Sequence, residues 1–290
     1  MNAGASRRRT LAGVAFILGG ATIIQWSAAI VQPVFSLVGP SAASGWRFVA
    51  GAVALVLVSR PRFWRFSAVQ WRGALALGVS VAFMNLCFYQ SIARIPLGAA
   101  VAIEYLGPFL VAAFSRRSLR HLALVALAGI GVLFLARPGG GITLLGALFA
   151  LGSGVGWVSY AFTSHHVGAL SEGFDGLAVA MSVAAVLTLP FALGRVPTLV
   201  EHPLDAARLA LVGVMAIAVG FAFEMQALRR IRPGIASVIL ALDPAVAFLS
   251  GWVFLAQPIT PFDLVGLACV VGAGVGVTLD VTGEERVPLQ

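Results

Sequence analysis

The chain contains no lysine, only two cysteines and three tyrosines, and few charges: 10% of its 290 residues are Asp, Glu, Lys or Arg. Soluble domains usually carry about 25%, so a chain this poor in charge does not fold with a water-facing exterior. Without lysine there is no nucleotide-binding phosphate loop, which needs one at the end of its glycine run. The glycine-rich stretches Gly152–Gly156 and Gly272–Gly276 lie inside apolar runs and read instead as helix contacts of the GxxxG kind. Cys87 and Cys269 each fall within an apolar run, which argues against a disulfide and leaves the redox compartment open. His165 and His166 are adjacent, the wrong spacing for two ligands on one helix face, so neither a metal site nor a cofactor is expected.

What is present is apolar. Hydrophobic residues make up 60% of the chain and the mean hydropathy is +0.98. A bilayer core of about 30 Å needs about 20 apolar residues of helix. Stretches bounded by charge, proline or glycine clusters give ten such spans, near 11–32, 41–59, 73–93, 95–115, 121–137, 143–164, 175–194, 208–229, 233–254 and 262–280. The expectation is an all-α membrane protein of ten transmembrane helices. Ser6 to Leu11 ahead of the first span resembles an export signal, with Ser27-Ala28-Ala29 as a cleavage site. The run from Leu11 is nevertheless as long as later spans, which favours a first membrane helix.

The net charge of +8 comes entirely from arginines. A nucleic-acid surface would need a water-soluble domain to carry it, and none is available. The arginines instead cluster between apolar runs. With the N-terminus in the cytoplasm, Arg7, Arg8, Arg9, Arg60, Arg62, Arg65, Arg72, Arg116, Arg117, Arg120, Arg229, Arg230, Arg232 and Arg286 fall on the inner side. Only Arg94, Arg137, Arg195 and Arg208 fall outside, and Arg47 lies within a span. The excess of inner arginines puts both termini in the cytoplasm.

The chain also repeats itself. Gln90, Arg94, Ile95, Gly98, Ala100, Ile103, Leu106 and Pro108 recur 136 residues later as Gln226, Arg230, Ile231, Gly234, Ala236, Ile239, Leu242 and Pro244. Gly13, Phe16, Leu18 and Gly19 recur at an offset of 133, and Gly129, Gly131 and Val132 at 145. This ordered series reads as a duplication of five spans, over 11–137 and 143–280. Because five is odd, the second copy enters the membrane from the opposite face. Such inverted-topology repeats typify secondary transporters, with the site at the midplane between the halves.

Two acids mark that midplane. Glu104 sits in an apolar run, four residues ahead of Pro108, whose ring and missing N–H weaken the helix over the Glu104 carbonyl. Asp243-Pro244 occupies the equivalent stretch of the second half. An intramembrane carboxylate is costly and points to function, with packing by interhelical hydrogen bonds as the plainer reading. Low dielectric disfavours the charged form of an acid, which makes Glu104 and Asp243 candidates for proton exchange. Arg47 either snorkels to the interface or provides a cation for a substrate carboxylate or for Glu104. Gln25 and Asn85 are deep enough to line a cavity. Tyr105, Trp26 and Trp157 are candidates for its walls, whereas Glu224, near the inner end of span eight, is expected to pair with nearby arginines.

The stretch Ile95-Pro96-Leu97-Gly98 followed by Ala102-Ile103-Glu104-Tyr105-Leu106-Gly107-Pro108 is similar to the fourth helix of bacterial threonine/homoserine exporters. The chain as a whole resembles the EamA-type branch of the drug/metabolite transporter superfamily. Leu242-Asp243-Pro244 matches the Leu-Glu-Pro of helix nine with the acid one methylene shorter, and Ala256-Gln257-Pro258 departs from the usual Gly-Glu. The resemblance implies efflux of amino acids or related small metabolites across the bacterial inner membrane, by a non-enzymatic carrier. On this expectation Glu104 is the primary substrate-amine or proton site and Asp243 its partner. Arg47 anchors a carboxylate, while Asn85, Gln25, Tyr105 and Trp157 line the cavity. The alternatives are an exporter of other metabolites, or a membrane-embedded transferase acting on lipid, which would need clustered acids for a metal or a basic phosphate cradle. The expected partners are the small substrate, protons and the lipid bilayer; nothing in the sequence fixes an oligomeric state.

Overall fold

Helices start and stop where the sequence supplies the chemistry for it. The computed structural model describes residues 3–108, 110, 119–135, 141–170, 174–228, 230 and 239–284. Parts of the fourth and ninth apolar spans, Gly234 and Ala236 among them, and the side chains of His165 and His166 lie outside the described residues. Within them the chain is helical and contains no strand.

Helix α1 spans Ala3–Val31 and α2 Pro40–Ser59. The turn between them passes through Gly39 at φ +82°, with Pro40 in the first turn of α2, where its missing N–H costs nothing. Helix α3, Ala68–Ile92, opens on a capping box: the Ser67 hydroxyl accepts from Gln70 N–H at 3.3 Å and the Gln70 side chain accepts from Ser67 N–H at 2.8 Å. Helix α4, Leu97–Glu104, is short; α5 covers Leu119–Leu135, α6 Leu144–Leu170 and α7 Asp175–Leu193. Helix α8 is composite, α-helical over Pro203–Gly213, a π-helix over Val214–Gly220 and α-helical again over Phe221–Leu228. Helices α9, Asp243–Leu255, and α10, Pro261–Glu284, complete the chain.

Six of the helical stretches among the described residues are long and apolar enough to cross a bilayer: Leu11–Val38, Pro40–Ser59, Ala68–Ile92, Leu144–Ser164, Asp175–Leu193 and Pro203–Glu224. Four shorter apolar helices accompany them: Leu97–Pro108, Leu122–Leu135, Asp243–Leu255 and Pro261–Gly276. Large apolar side chains such as Leu57, Val58, Leu133 and Phe162 are exposed on the outside, as a lipid-facing surface requires.

Lipid is as apolar as leucine, so helices in it are held by close packing, which small residues permit. A Cβ on Gly131 would lie 2.7 Å from the Gly266 carbonyl, and one on Gly266 2.8 Å from the Gly131 carbonyl, a reciprocal contact joining α5 to α10. Gly45 meets Thr188 across the α2–α7 crossing, and Gly78 meets Ala180 across α3–α7. The other main pairings are α3 with α6, α1 with α8 and with α9, α4 with α6 and with α9, and α2 with α8.

Two arginine clasps have the same construction. Arg94 donates to the Gln90 carbonyl at 2.6 Å and to the Gln90 side chain, and its guanidinium lies 5.1 Å from the Phe149 ring centroid. Arg230 donates to the Gln226 carbonyl at 2.7 Å and to the Gln226 side chain, and lies 4.9 Å from the Phe16 ring centroid. In each case an arginine at the C-terminal end of a helix satisfies an orphan carbonyl there and stacks on an aromatic ring of another helix.

Candidate functional site

Helices α4 and α9 both stop or start in the middle of apolar sequence, and the interruptions carry the acids. Helix α4 ends at Glu104, with Tyr105 in a turn before Leu106–Pro108. The Glu104 carbonyl, deprived of a donor by Pro108, faces α6 where a Cβ on Gly154 would lie only 2.5 Å away. Gly154 is therefore the residue type that this crossing needs. Helix α9 begins at Asp243, with Pro244 in its first turn. A carboxylate there sits at the positive end of the helix dipole.

These breaks face a central cavity. It has about 80 Å³ accessible to water, several times the roughly 10–15 Å³ that one ordered water needs. Gln25 on α1, Arg47 on α2, Asn85 on α3, Glu104 and Tyr105 at the α4 break, Trp157 on α6 and Asp243 on α9 all line it. The seven residues singled out by sequence thus meet at one place. Apolar walls come from Ile17, Ile24, Met84, Phe88, Phe221 and Leu240.

Each polar group has a defined neighbour. The Gln25 amide donates to Asp243 Oδ2 at 2.9 Å, and the Tyr105 hydroxyl donates to the same oxygen at 3.3 Å. The Ser153 hydroxyl lies within hydrogen-bonding distance of both Glu104 Oε1 and the Met84 carbonyl. Arg47 is 2% exposed, so it does not snorkel to the interface. Its guanidinium donates to Asn85 Oδ1 and rests over the Tyr89 ring, 4.6 Å from the centroid. Asn85 in turn donates to the Val81 carbonyl at 3.1 Å. Among the described residues Arg47 forms no ion pair. Among the described residues, three buried polar atoms of the cavity residues make no hydrogen bond: Arg47 Nε, Gln25 Oε1 and Asp243 Oδ1.

Two expectations need correction. Trp26 is 45% exposed and packs against Phe254 with ring centroids 5.4 Å apart, on the outside of the bundle rather than in the cavity. Glu224, expected beside arginines, lines the cavity together with Tyr160. Tyr160 belongs to a run of ring contacts along the wall, Tyr105 to Trp157 at 5.7 Å, Trp157 to Tyr160 at 6.5 Å and Tyr160 to Phe221 at 5.7 Å. In sequence Glu224 is outweighed by the arginines that follow it, Arg229, Arg230 and Arg232.

A multi-pass helical membrane protein that buries acids and an arginine around a small wet chamber belongs, by architecture and site, to the solute transporters. The comparisons with known proteins agree. The model of the EamA-like transporter family matches residues 144–279. Over 281 residues the chain is 32% identical to the threonine/homoserine exporter RhtA of Escherichia coli (strain K12), covering 94% of each protein. It is 32% identical to RhtA of Salmonella typhimurium (strain LT2) over 271 residues, 91% of this chain and 90% of the other. The uncharacterized transporter YvbV of Bacillus subtilis (strain 168) is 24% identical over 246 residues, 79% of each. A crystal structure at 18% identity shares the fold, with a TM-score of 0.61 over 94% of this chain and 99% of that one. The chain belongs to the EamA-like transporter family. It is a transporter and not an enzyme, which removes the lipid-transferase alternative.

Proposed function

We propose that the protein exports a small zwitterionic amino acid of the threonine or homoserine kind across the bacterial inner membrane by alternating access. The observation that carries this reading is the set of unpartnered buried atoms on residues that line the cavity. Arg47 Nε is a buried cationic donor, and Gln25 Oε1 and Asp243 Oδ1 are buried acceptors on two side chains already joined to each other. A substrate carboxylate satisfies the first and a substrate ammonium the other two, and a desolvated charge needs such a partner. The chamber is small, with about 80 Å³ accessible to water. RhtA, named for threonine and homoserine, is similar over nearly the whole length.

In this reading ten spans form two inverted five-helix repeats, over 11–137 and 143–280, with both termini in the cytoplasm. The helix pairings support it. Advancing each partner by five helices turns α3–α6 into α8–α1, α3–α7 into α8–α2 and α4–α6 into α9–α1, and returns α2–α7, α4–α9 and α5–α10 to themselves; all of these pairs are in contact. The cavity has the same symmetry. An offset of 136 relates Asn85 to Phe221, Phe88 to Glu224 and Glu104 to Leu240, and all six line it. Glu104 and Asp243 then serve proton antiport, being acids that face both the substrate and the wet chamber.

Reconstituted protein tests the whole reading. Threonine or homoserine loaded into vesicles leaves faster than from protein-free vesicles, and faster again with an imposed pH gradient. Efflux indifferent to the gradient removes the proton from the scheme, and no efflux of either amino acid removes the substrate.

A further inference from the structure

Glu224 is the cavity carboxylate that neither the zwitterion's ammonium nor its carboxylate requires, and the helix that carries it is built to aim it. Over Val214–Gly220 the helix closes i→i+5, with Phe221 N–H bonded to the Ala216 carbonyl. One residue inserted in this way turns everything beyond it by about 100° relative to an uninterrupted α-helix. Such segments are found mostly at functional sites. Without the turn, the positions after Gly220 would present a different face to α1.

Small residues then bring that face close. A Cβ on Gly20 would lie 3.2 Å from the Gly220 carbonyl and 3.5 Å from Glu224 N, and one on Gly220 2.7 Å from Ile24. This crossing seats Glu224 beside Ile17, Ala21, Ile24 and Gln25, all of them cavity residues. Tyr160, on α6, lines the same chamber. A carboxylate has roughly four acceptor sites, so Glu224 has acceptor capacity toward the chamber. The residue at the related position of the first half, Phe88, also lines the cavity but offers no acceptor.

We propose that Glu224, aimed by the π segment, is a specificity-determining residue that accepts a hydrogen bond from a donor on the substrate side chain. The inference rests on the amino-acid reading above and adds to it. Arg47 with Gln25 and Asp243 recognises the backbone common to all amino acids, whereas Glu224 selects those whose side chain carries a hydroxyl. A site that hydrogen-bonds a substrate hydroxyl rejects the analogue lacking it far more strongly than an apolar pocket rejects a change of size.

Threonine and valine have the same shape and differ in that hydroxyl. Radiolabelled threonine bound to the purified full-length protein, displaced by unlabelled threonine or valine, gives both affinities. Wild type prefers threonine by at least about a hundredfold. In Glu224→Leu the threonine affinity falls by at least about tenfold while valine holds within about twofold, so the preference collapses. Glu224→Gln, which keeps an acceptor, retains most of it. If Glu224→Leu does not fold, Glu224→Met, which also removes the acceptor but packs more adaptably, is measured for the same loss of preference. Equal losses for both amino acids, or an unchanged ratio, overturn the proposal. Wild-type protein that binds neither amino acid overturns the underlying reading instead.

Discussion

Arg47 is held by two contacts of different kinds, and each limits what it can do. Stacking on Tyr89 fixes the plane of the guanidinium, and Asn85 takes one of its terminal N–H groups. Its Nε, buried beside the chamber that Arg47 lines, makes no hydrogen bond among the described residues. An arginine so placed recognises a carboxylate by direction as well as by charge. Hydrogen bonds to charged groups contribute about 1.5–3 kcal/mol, so Arg47→Gln weakens threonine binding by at least about tenfold, measured by equilibrium binding to purified protein. Arg47→Lys keeps the charge but loses the fork and the stacking, and falls between the two. Glu104→Gln removes charge at nearly constant volume and abolishes net export while leaving the protein in the membrane at wild-type level. Unimpaired export in cells expressing that variant assigns the residue to packing alone.

At the scale of the element, the broken helices depend on glycines opposite them. The α4 break brings the Glu104 carbonyl against Gly154, and Gly107 against the Gly154 carbonyl at 2.7 Å from a built Cβ. Gly154→Ala forces these backbones apart, and overpacking of this kind costs about 1–3 kcal/mol. Thermal unfolding in detergent followed by tryptophan fluorescence shows a lowered midpoint for this variant and little change for Gly129→Ala, whose added Cβ meets nothing within 4 Å.

The same elements explain what was readable in sequence. Glu104 and Asp243 stand out because a charge next to a proline in an apolar run has few structural excuses. Their gathering with Gln25, Asn85, Arg47, Tyr105 and Trp157 followed from depth along each span. Rotation about the helix axis did not follow, because these spans are apolar on every side and give weak periodicity. Gln25 and Trp26 are neighbours at one depth, yet one faces the chamber and the other the outside. Glu224 was hidden for a related reason: a π segment shifts the helical phase with no composition of its own. Six helices among the described residues are long and apolar enough to cross a bilayer, and the count of ten belongs to the proposed reading.

For the whole molecule, the distribution of arginines predicts which way it sits. A fluorescent protein fused after Gln290 is expected to fluoresce, and a periplasm-dependent phosphatase at the same point to stay inactive, if the C-terminus is cytoplasmic. The reverse pattern inverts the assignment and with it the direction of each helix.

The twin clasps, Arg94 on Phe149 and Arg230 on Phe16, bear on how such a carrier chooses between its two openings. Their strengths cancel to first order, because the same three side chains are used on each. A molecule hinged so evenly has no resting bias from its fastenings. On the proposed two-repeat reading, a bias would come from where the halves differ, Glu104 against Leu240 and Glu224 against Phe88, so that the cargo itself would decide which door swings.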